Sequence, residues 1–398
     1  MILEAVYVLA LLVIILWLRP NDKLKRLYWI GIFLKISYGL LLGYVYLIHL
    51  ESGDTLVYHT RATELLGISS ESFLEYLSVL FTANYPVFMA EARNELFIKI
   101  ASVFYLFNNG NYWLTASTFS LLSFGSSWIL IKKIRQHYPG HTLASAFAFL
   151  LFPSVAFWSS GMLKDSLVFM CMCYLASIII EQANHEKTST LKILLTFLAL
   201  LLLFYLKFYL FAVIVFAMSA QMLFEYTHLL IRSKLNRLLV LVIGAILLGV
   251  LVSYSNFNLR PGNLPQAIYD NHTSYGTSAD FQFDQLAPSY LSLALHSPSA
   301  LLTGLLRPFP WEANAWWQWM TFEGLIILVL AGINLVYYRK WHWSPLIIIG
   351  LFCTLSLITF LALSTPNFGS LIRYRSIAMP FLTYILLIIP SKLFLSKA

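Results

Sequence analysis

Apolar residues run along this chain in long blocks, and polar residues collect in the gaps between them. A helix that crosses a bilayer needs about 20 mostly apolar residues. The blocks that meet this are 2–18, 28–50, 111–131, 142–158, 163–181, 190–206, 208–226, 237–255, 321–338, 344–363 and 374–392. The pattern predicts an all-α, polytopic transmembrane protein: about eleven membrane helices in a single integral membrane domain, 1–398. The stretch 92–107 is apolar but short. It carries Arg93, Glu95 and Lys99, while Leu96, Ile100, Val103, Phe104 and Phe107 recur near helical spacing. It is expected to lie in the interface as an amphipathic helix.

Loop charge orients these spans. Short basic loops fall at 19–26, 132–135, 232–237 and 339–340, and the tail carries Lys392 and Lys397. With 92–107 kept out of the membrane, all of them fall on one side; if it crossed, the first loop would oppose the others. The positive-inside rule then predicts an outer N-terminus and a cytoplasmic C-terminus. The first helix begins with Glu4 and no small-residue cleavage site follows, so it is not expected to be a cleaved signal. Two outer segments are long: 51–110, with its interfacial helices, and 256–320, rich in Pro, Asn, Tyr and Trp. Two are short, around 158–165 and 366–375. The inner loops are all brief, so the material for a site lies outside. No internal repeat is visible, which weakens a transporter built from inverted halves. No glycine-rich phosphate loop is present.

Composition agrees with a lipid-solvated body. Of 398 residues, 59% are hydrophobic and only 11% charged, and the mean hydropathy is +0.75. Soluble domains carry about a quarter charged residues. The net charge of +8 fits cytoplasmic loops and anionic lipid contacts, and nucleic acid is not expected as a partner. Cys171, Cys173 and Cys353 sit in apolar segments and suggest neither a metal site nor a disulfide framework.

Four groups could carry chemistry. The first is Glu51-Ser52-Gly53-Asp54-Thr55-Leu56-Val57-Tyr58-His59, directly after the second helix. A carboxylate there can act as a general base on a hydroxyl or hold a divalent metal; the alternative is a solvated helix end. The second is the tight connection 152–166, where Lys164 and Asp165 open an otherwise apolar helix. Ionisable groups at membrane depth point to function; the alternative is an acid favouring the helix dipole beside a snorkelling lysine. The third is a set of outer cations, Lys207, Arg307, Arg373 and Arg375. A cation on that side needs a partner, and arginine's fork matches phosphate oxygens; outer carboxylates or lipid headgroups are the alternative. The fourth is aromatic: Phe309, Trp311, Trp316, Trp317 and Trp319, expected mainly as interfacial anchors. The tripeptide Asn271-His272-Thr273 fits a glycosylation acceptor but carries little weight alone.

Taken in order, these features resemble the C-type membrane glycosyltransferase superfamily, of the bacterial type that uses polyprenyl-phosphate sugars. Asp54 matches the first outer acid by its place after a helix, and 94–110 matches an interfacial helix. Residues 132–135 match the inner turn, and 153–165 looks like the second outer loop with Asp165 as its acid. The likeness covers about the first half of the chain. The helix 2–18 is an addition to the pattern, and no large soluble domain follows the last helix. The resemblance implies a multi-pass protein of the bacterial inner (plasma) membrane. Its donor would be a polyprenyl-phosphate-linked sugar and its acceptor a glycan or lipid, in cell-surface glycan or glycolipid synthesis. Asp54 would be the base, Asp165 would bind acceptor or metal, and Tyr58 and His59 would shape the sugar site. Lys164, Lys207, Arg307, Arg373 and Arg375 would bind substrate, the lipid phosphate above all. A surface-polysaccharide polymerase joining lipid-linked repeats, and a polytopic transporter without catalysis, stay open as alternatives.

Overall fold

The computed structural model describes residues 2–22, 24–82, 94–230, 244, 254, 258, 260–312, 318–341 and 343–395. Hydrocarbon offers the backbone no hydrogen bonds, so segments that leave water satisfy their own N–H and C=O groups as helices. In chain order the helices are α1 (Ile2–Trp17), α2 (Lys25–Gly43), α3 (Asp54–Glu71), α4 (Phe73–Phe81), α5 (Glu95–Asn108) and α6 (Tyr112–His137). There follow α7 (Thr142–Ala146), α8 (Pro153–Trp158), α9 (Lys164–Ala183), α10 (Thr190–Leu206), α11 (Phe208–Leu230), α12 (Leu264–Thr273), α13 (Tyr290–Leu306), α14 (Phe322–Val336), α15 (Pro345–Ser364), α16 (Phe368–Arg375) and α17 (Met379–Leu395). Polar residues set several starts. Ser72, Ser289, Ser344 and Asn367 each accept a hydrogen bond from a first-turn N–H of the helix that follows.

The chain is a multi-pass helical membrane protein. Among the described residues, six runs are long and apolar enough to cross a membrane: Lys25–His49, Tyr112–His137, Lys164–Ala183, Phe208–Thr227, Gln318–Val336 and Pro345–Ser364. A bent pair, Phe368–Arg375 and Met379–Ser391, makes a seventh if counted as one span. Ile2–Trp17, Pro139–Leu151 and Thr190–Leu206 are apolar but shorter. Apart from 244 and 254, the expected span 237–255 lies outside the described residues, as do the basic loop 232–237, Arg93, Trp316, Trp317 and Lys397.

Three expected elements differ in detail. The block 142–158 is not one helix: Phe152 is extended before Pro153, whose ring leaves no N–H to continue the ladder. The last block, 374–392, breaks after Arg375 with a 64° bend, and Pro380 has no N–H for the carbonyl of Ser376. The segment 256–320, expected as an outer loop, contains the apolar helix α13. It packs on α15, where a Cβ on Gly304 would lie 3.2 Å from the Ala362 side chain.

The chain divides into two compact units. The first holds Met1–Ile129, Ala156–Tyr174 and Leu198–Lys207. In it the Tyr28 hydroxyl donates to the Ile15 carbonyl at 2.7 Å, and its ring packs edge-on against Phe124 and Trp128. α3 lies along α5. The 159–163 turn meets α2 where two glycines face each other. Gly161 has φ +75°, and a Cβ on it would stand 3.1 Å from the Gly39 carbonyl oxygen and 3.3 Å from the Gly39 Cα. The second unit holds Leu130–Val155, Leu175–Phe197 and Phe208–Ala398. There α14, α15 and α17 pack together, and Lys133 is shared by Glu181 at 3.0 Å and Glu186 at 2.6 Å.

Gly161 needs both the left-handed backbone and the missing side chain. Gly161→Ala is therefore expected to destabilise the protein by about 1–3 kcal/mol, read as a lowered thermal unfolding midpoint in lipid nanodiscs. Gly140→Ala, where a Cβ meets open space, serves as the control and leaves the midpoint in place.

Candidate functional site

The first unit gathers six of the residues singled out in the sequence. Gly53 turns the chain into α3 at φ +103°, and a Cβ there would strike the Tyr46 ring at 2.6 Å. Asp54 then opens α3, half-buried, where the helix dipole favours a carboxylate. One turn on, Tyr58 is buried, its ring 4.7 Å from that of Phe97. Its hydroxyl donates to Asn94 Oδ1 at 3.3 Å. Lys164 Nζ donates to the same oxygen at 2.9 Å. Asn94 thus ties the first turn of α3 to the first turn of α9.

His59 faces a second set of polar groups. Its Nδ1 lies 2.6 Å from the Tyr105 hydroxyl, and its ring sits edge-on to Tyr105 and Tyr112. Burial pushes the His59 imidazole below its ordinary value and the Tyr105 phenol above its own, so both are neutral near pH 7. Thr55 Oγ1 donates to the Met162 carbonyl at 2.9 Å. With that proton committed, Thr55 accepts from Tyr112, whose hydroxyl lies at 2.9 Å. The Tyr105 hydroxyl also lies 3.6 Å from Met162 Sδ. Asn94, Thr55, Tyr105, Tyr112 and Met162 complete the site, and none of them stands out in the sequence. Asn94 has the best signal, as the polar residue at the start of the amphipathic 94–110 stretch.

Asp165 and Lys207 are brought together. Both are buried, and the Lys207 ammonium donates to the Asp165 carboxylate. Neighbouring helical residues diverge by about 100°, so Lys164 turns to Asn94 while Asp165 turns to Lys207. The carboxylate alternative raised for the outer cations is the one that Lys207 adopts.

The three arginines lie in the second unit. Arg307 grips Glu312 by Nε and Nη2 at 3.0 and 2.8 Å and lies over the rings of Phe281 and Phe368. Burial works against the Glu312 carboxylate, but the Arg307 hydrogen bonds hold its pKa below the ordinary range. Arg375 is fully buried, with Nη1 donating to the carbonyls of Gly304 at 2.8 Å and Arg307 at 2.6 Å. It ties α16 to the end of α13 and so serves the fold. Arg373, two residues earlier on α16, is half-buried. Glu323, on α14, is fully buried and accepts from the Ser154 N–H. Phe309 and Trp311 stack at 4.9 Å. Among the described residues, no group of three or more His, Cys, Asp or Glu side chains is arranged to hold a metal ion.

Comparison with protein-family models, with characterised proteins and with solved structures finds no match.

Two measurements test this arrangement. Removing one member of a buried ion pair leaves an uncompensated charge, at a cost of about 3–5 kcal/mol. Asp165→Leu is thus expected to lower the unfolding midpoint sharply, and Lys207→Met in the same chain to recover most of the loss. A double variant no more stable than the single one would overturn the pairing. The second concerns pH. Because the folded pKa of His59 lies below its unfolded value, the unfolded state takes up a proton first as pH falls through about 6.5. Stability is full above that pH and declines below it until the folded imidazole also protonates. Amide exchange in the first turn of α3 is expected to quicken from pH 7.5 to 5.5, and His59→Gln to remove that dependence.

Proposed function

We propose that this protein is an inverting membrane glycosyltransferase. Its donor is a polyprenyl-phosphate-linked sugar, its acceptor a glycan or lipid, and its product a cell-surface glycan or glycolipid. The observation that carries this reading is the half-exposed carboxylate of Asp54, one helical turn from Tyr58, with Lys164 held on the same Asn94 oxygen as Tyr58. A general base needs a carboxylate within reach of a hydroxyl, and a departing phosphate needs a nearby cation. The geometry supplies both types on one pair of helix starts.

In the reaction, Asp54 takes the proton of the acceptor hydroxyl. The oxygen attacks the anomeric carbon from the face opposite the lipid phosphate. The carbon–oxygen bond to phosphate breaks with its electron pair going to the phosphate, and the configuration inverts. Lys164 balances the charge that develops there. Tyr58 and His59 form the wall beside the sugar. Arg373 is a further phosphate candidate.

The topology that accompanies this reading is about eleven crossings of the bacterial inner membrane, with the N-terminus outside and the C-terminus in the cytoplasm. In it α1, α10 and the broken 139–158 run cross although they are short. α13, as short as α10 at 17 residues, is not counted as a crossing. Counting it as a crossing would put the basic loop 339–340 opposite 19–26, against the positive-inside trend.

A transporter reading draws on one observation, the ionisable residues buried in apolar helices: Lys35, Glu323 and Arg375. One assay separates the two. Purified protein in nanodiscs is incubated with a panel of polyprenyl-phosphate sugars and acceptor glycans or lipids. The transferase reading expects glycosylated acceptor and released lipid phosphate in equal amounts. Asp54→Asn is expected to lower the rate by at least about 1,000-fold while inserting and unfolding like the parent. Near-parental transfer by that variant would remove Asp54 from the mechanism. Movement of intact donor without bond cleavage would favour transport.

A further inference from the structure

Lys35 sits in the middle of α2, inside the apolar run Lys25–His49, and is fully buried. Among the described residues no carboxylate lies within ion-pair distance of it. A lone cation in such a place needs neutral partners, and it has a full set. An ammonium carries three N–H donors. Here they meet the Ser159 Oγ, the Ser123 Oγ at 3.1 Å and the Ser159 carbonyl at 3.4 Å. The ring of Phe169 lies 4.7 Å from the nitrogen and adds cation–π attraction. With every donor engaged, Lys35 has nothing left to offer a ligand. Its effect must pass through what it holds.

What it holds is the turn between α8 and α9. Gly39, one turn along the same face of α2, meets the backbone of Gly161. The Gly161 N–H donates to the Ser120 Oγ at 2.8 Å. The Met162 carbonyl accepts from Thr55 at 2.9 Å. Lys164, the next polar residue, reaches Asn94 at 2.9 Å. Lys35 grips the turn at its entry, through both the side chain and the backbone of Ser159.

We infer that Lys35 is a positioning residue: by pinning Ser159 it fixes the 159–163 turn and thereby the place of Lys164 beside Tyr58 and Asn94. The consequence for Lys164 rests on the transferase reading; the pin itself does not. Two hydroxyls and a carbonyl give the Lys35 nitrogen three acceptors, in a low-dielectric setting where hydrogen bonds are strengthened.

The test uses the full-length protein in nanodiscs and the variants Lys35→Met, Ser159→Ala and Asn94→Ala. Each is treated with a small amine-reactive ester, and acetylation of Lys164 is followed by mass spectrometry against Lys192. Lys192 lies in the second unit and is paired with Glu181 at 2.7 Å. Asn94→Ala gives the rate for a Lys164 released from its partner. In Lys35→Met, Lys164 is expected to label roughly tenfold faster than in the parent, with Lys192 unchanged. A general loosening would raise both rates, and that result counts against the pin. Parental labelling of Lys164 overturns it. If Lys35→Met fails to insert, Ser159→Ala keeps the lysine and removes its side-chain acceptor. It is then expected to give a smaller rise confined to Lys164, and no rise would overturn the proposal. In the transfer assay the same variants are expected to raise KM for the lipid-linked donor more than they lower kcat. If labelling responds as expected but the parent transfers no sugar, the pin stands and the transferase reading fails.

Discussion

Lipid gives a buried charge nothing to bind, so each ionisable side chain that enters this fold must find its partners within the chain. Much of the polar interior follows from that constraint, and the solutions differ by site. Lys207 has a carboxylate, Asp165. Arg375 has two carbonyls freed at the end of α13. Lys35 has three oxygens from two serines. In each case the partner is far along the sequence, so satisfying the charge also fixes how helices meet. The cations act here as tertiary ties as much as candidate ligands.

The same constraint explains what could be read from the sequence. Helical character and membrane residence rest on long apolar blocks, and the blocks behind α2, α6, α9, α11, α14 and α15 became helices of spanning length. Blocks containing proline were less legible. Composition alone does not say whether Pro153 or Pro380 sits at a helix start or inside one, because both positions occur in apolar runs. α13 was missed because His296 and Pro298 interrupt it, and the surrounding segment is rich in turn-forming residues. The 94–110 stretch was legible as a helix with one apolar face, and α5 buries Phe97, Ile98, Ala101 and Tyr105.

The site was legible in part, for a related reason. Residue type and position after a helix drew attention to Asp54, Tyr58, His59 and Lys164, and these share the starts of α3 and α9. Nothing in the order of residues says that Asp165 and Lys207 face each other, because pairing at a sequence distance of this size is a property of helix packing. Asn94 and Tyr105 carry little signal of their own, for the opposite reason. They are ordinary residues made consequential by the groups brought to them. For Lys207 and Arg307, expected to pair with either phosphate or carboxylates, the partner in the structure is a carboxylate.

That balance narrows the chemistry. A base must reach the proton it takes, and Asp165 is buried against the Lys207 ammonium. Under the proposed reading this favours Asp54, the half-buried carboxylate at the helix start that carries Tyr58. Among the cations of the first unit, the same reading favours Lys164, half-buried and donating to the neutral Asn94 amide. The buried charges of that unit have a common consequence. They tie α2 and the end of α10 to the segments around the start of α9, where Lys164 stands.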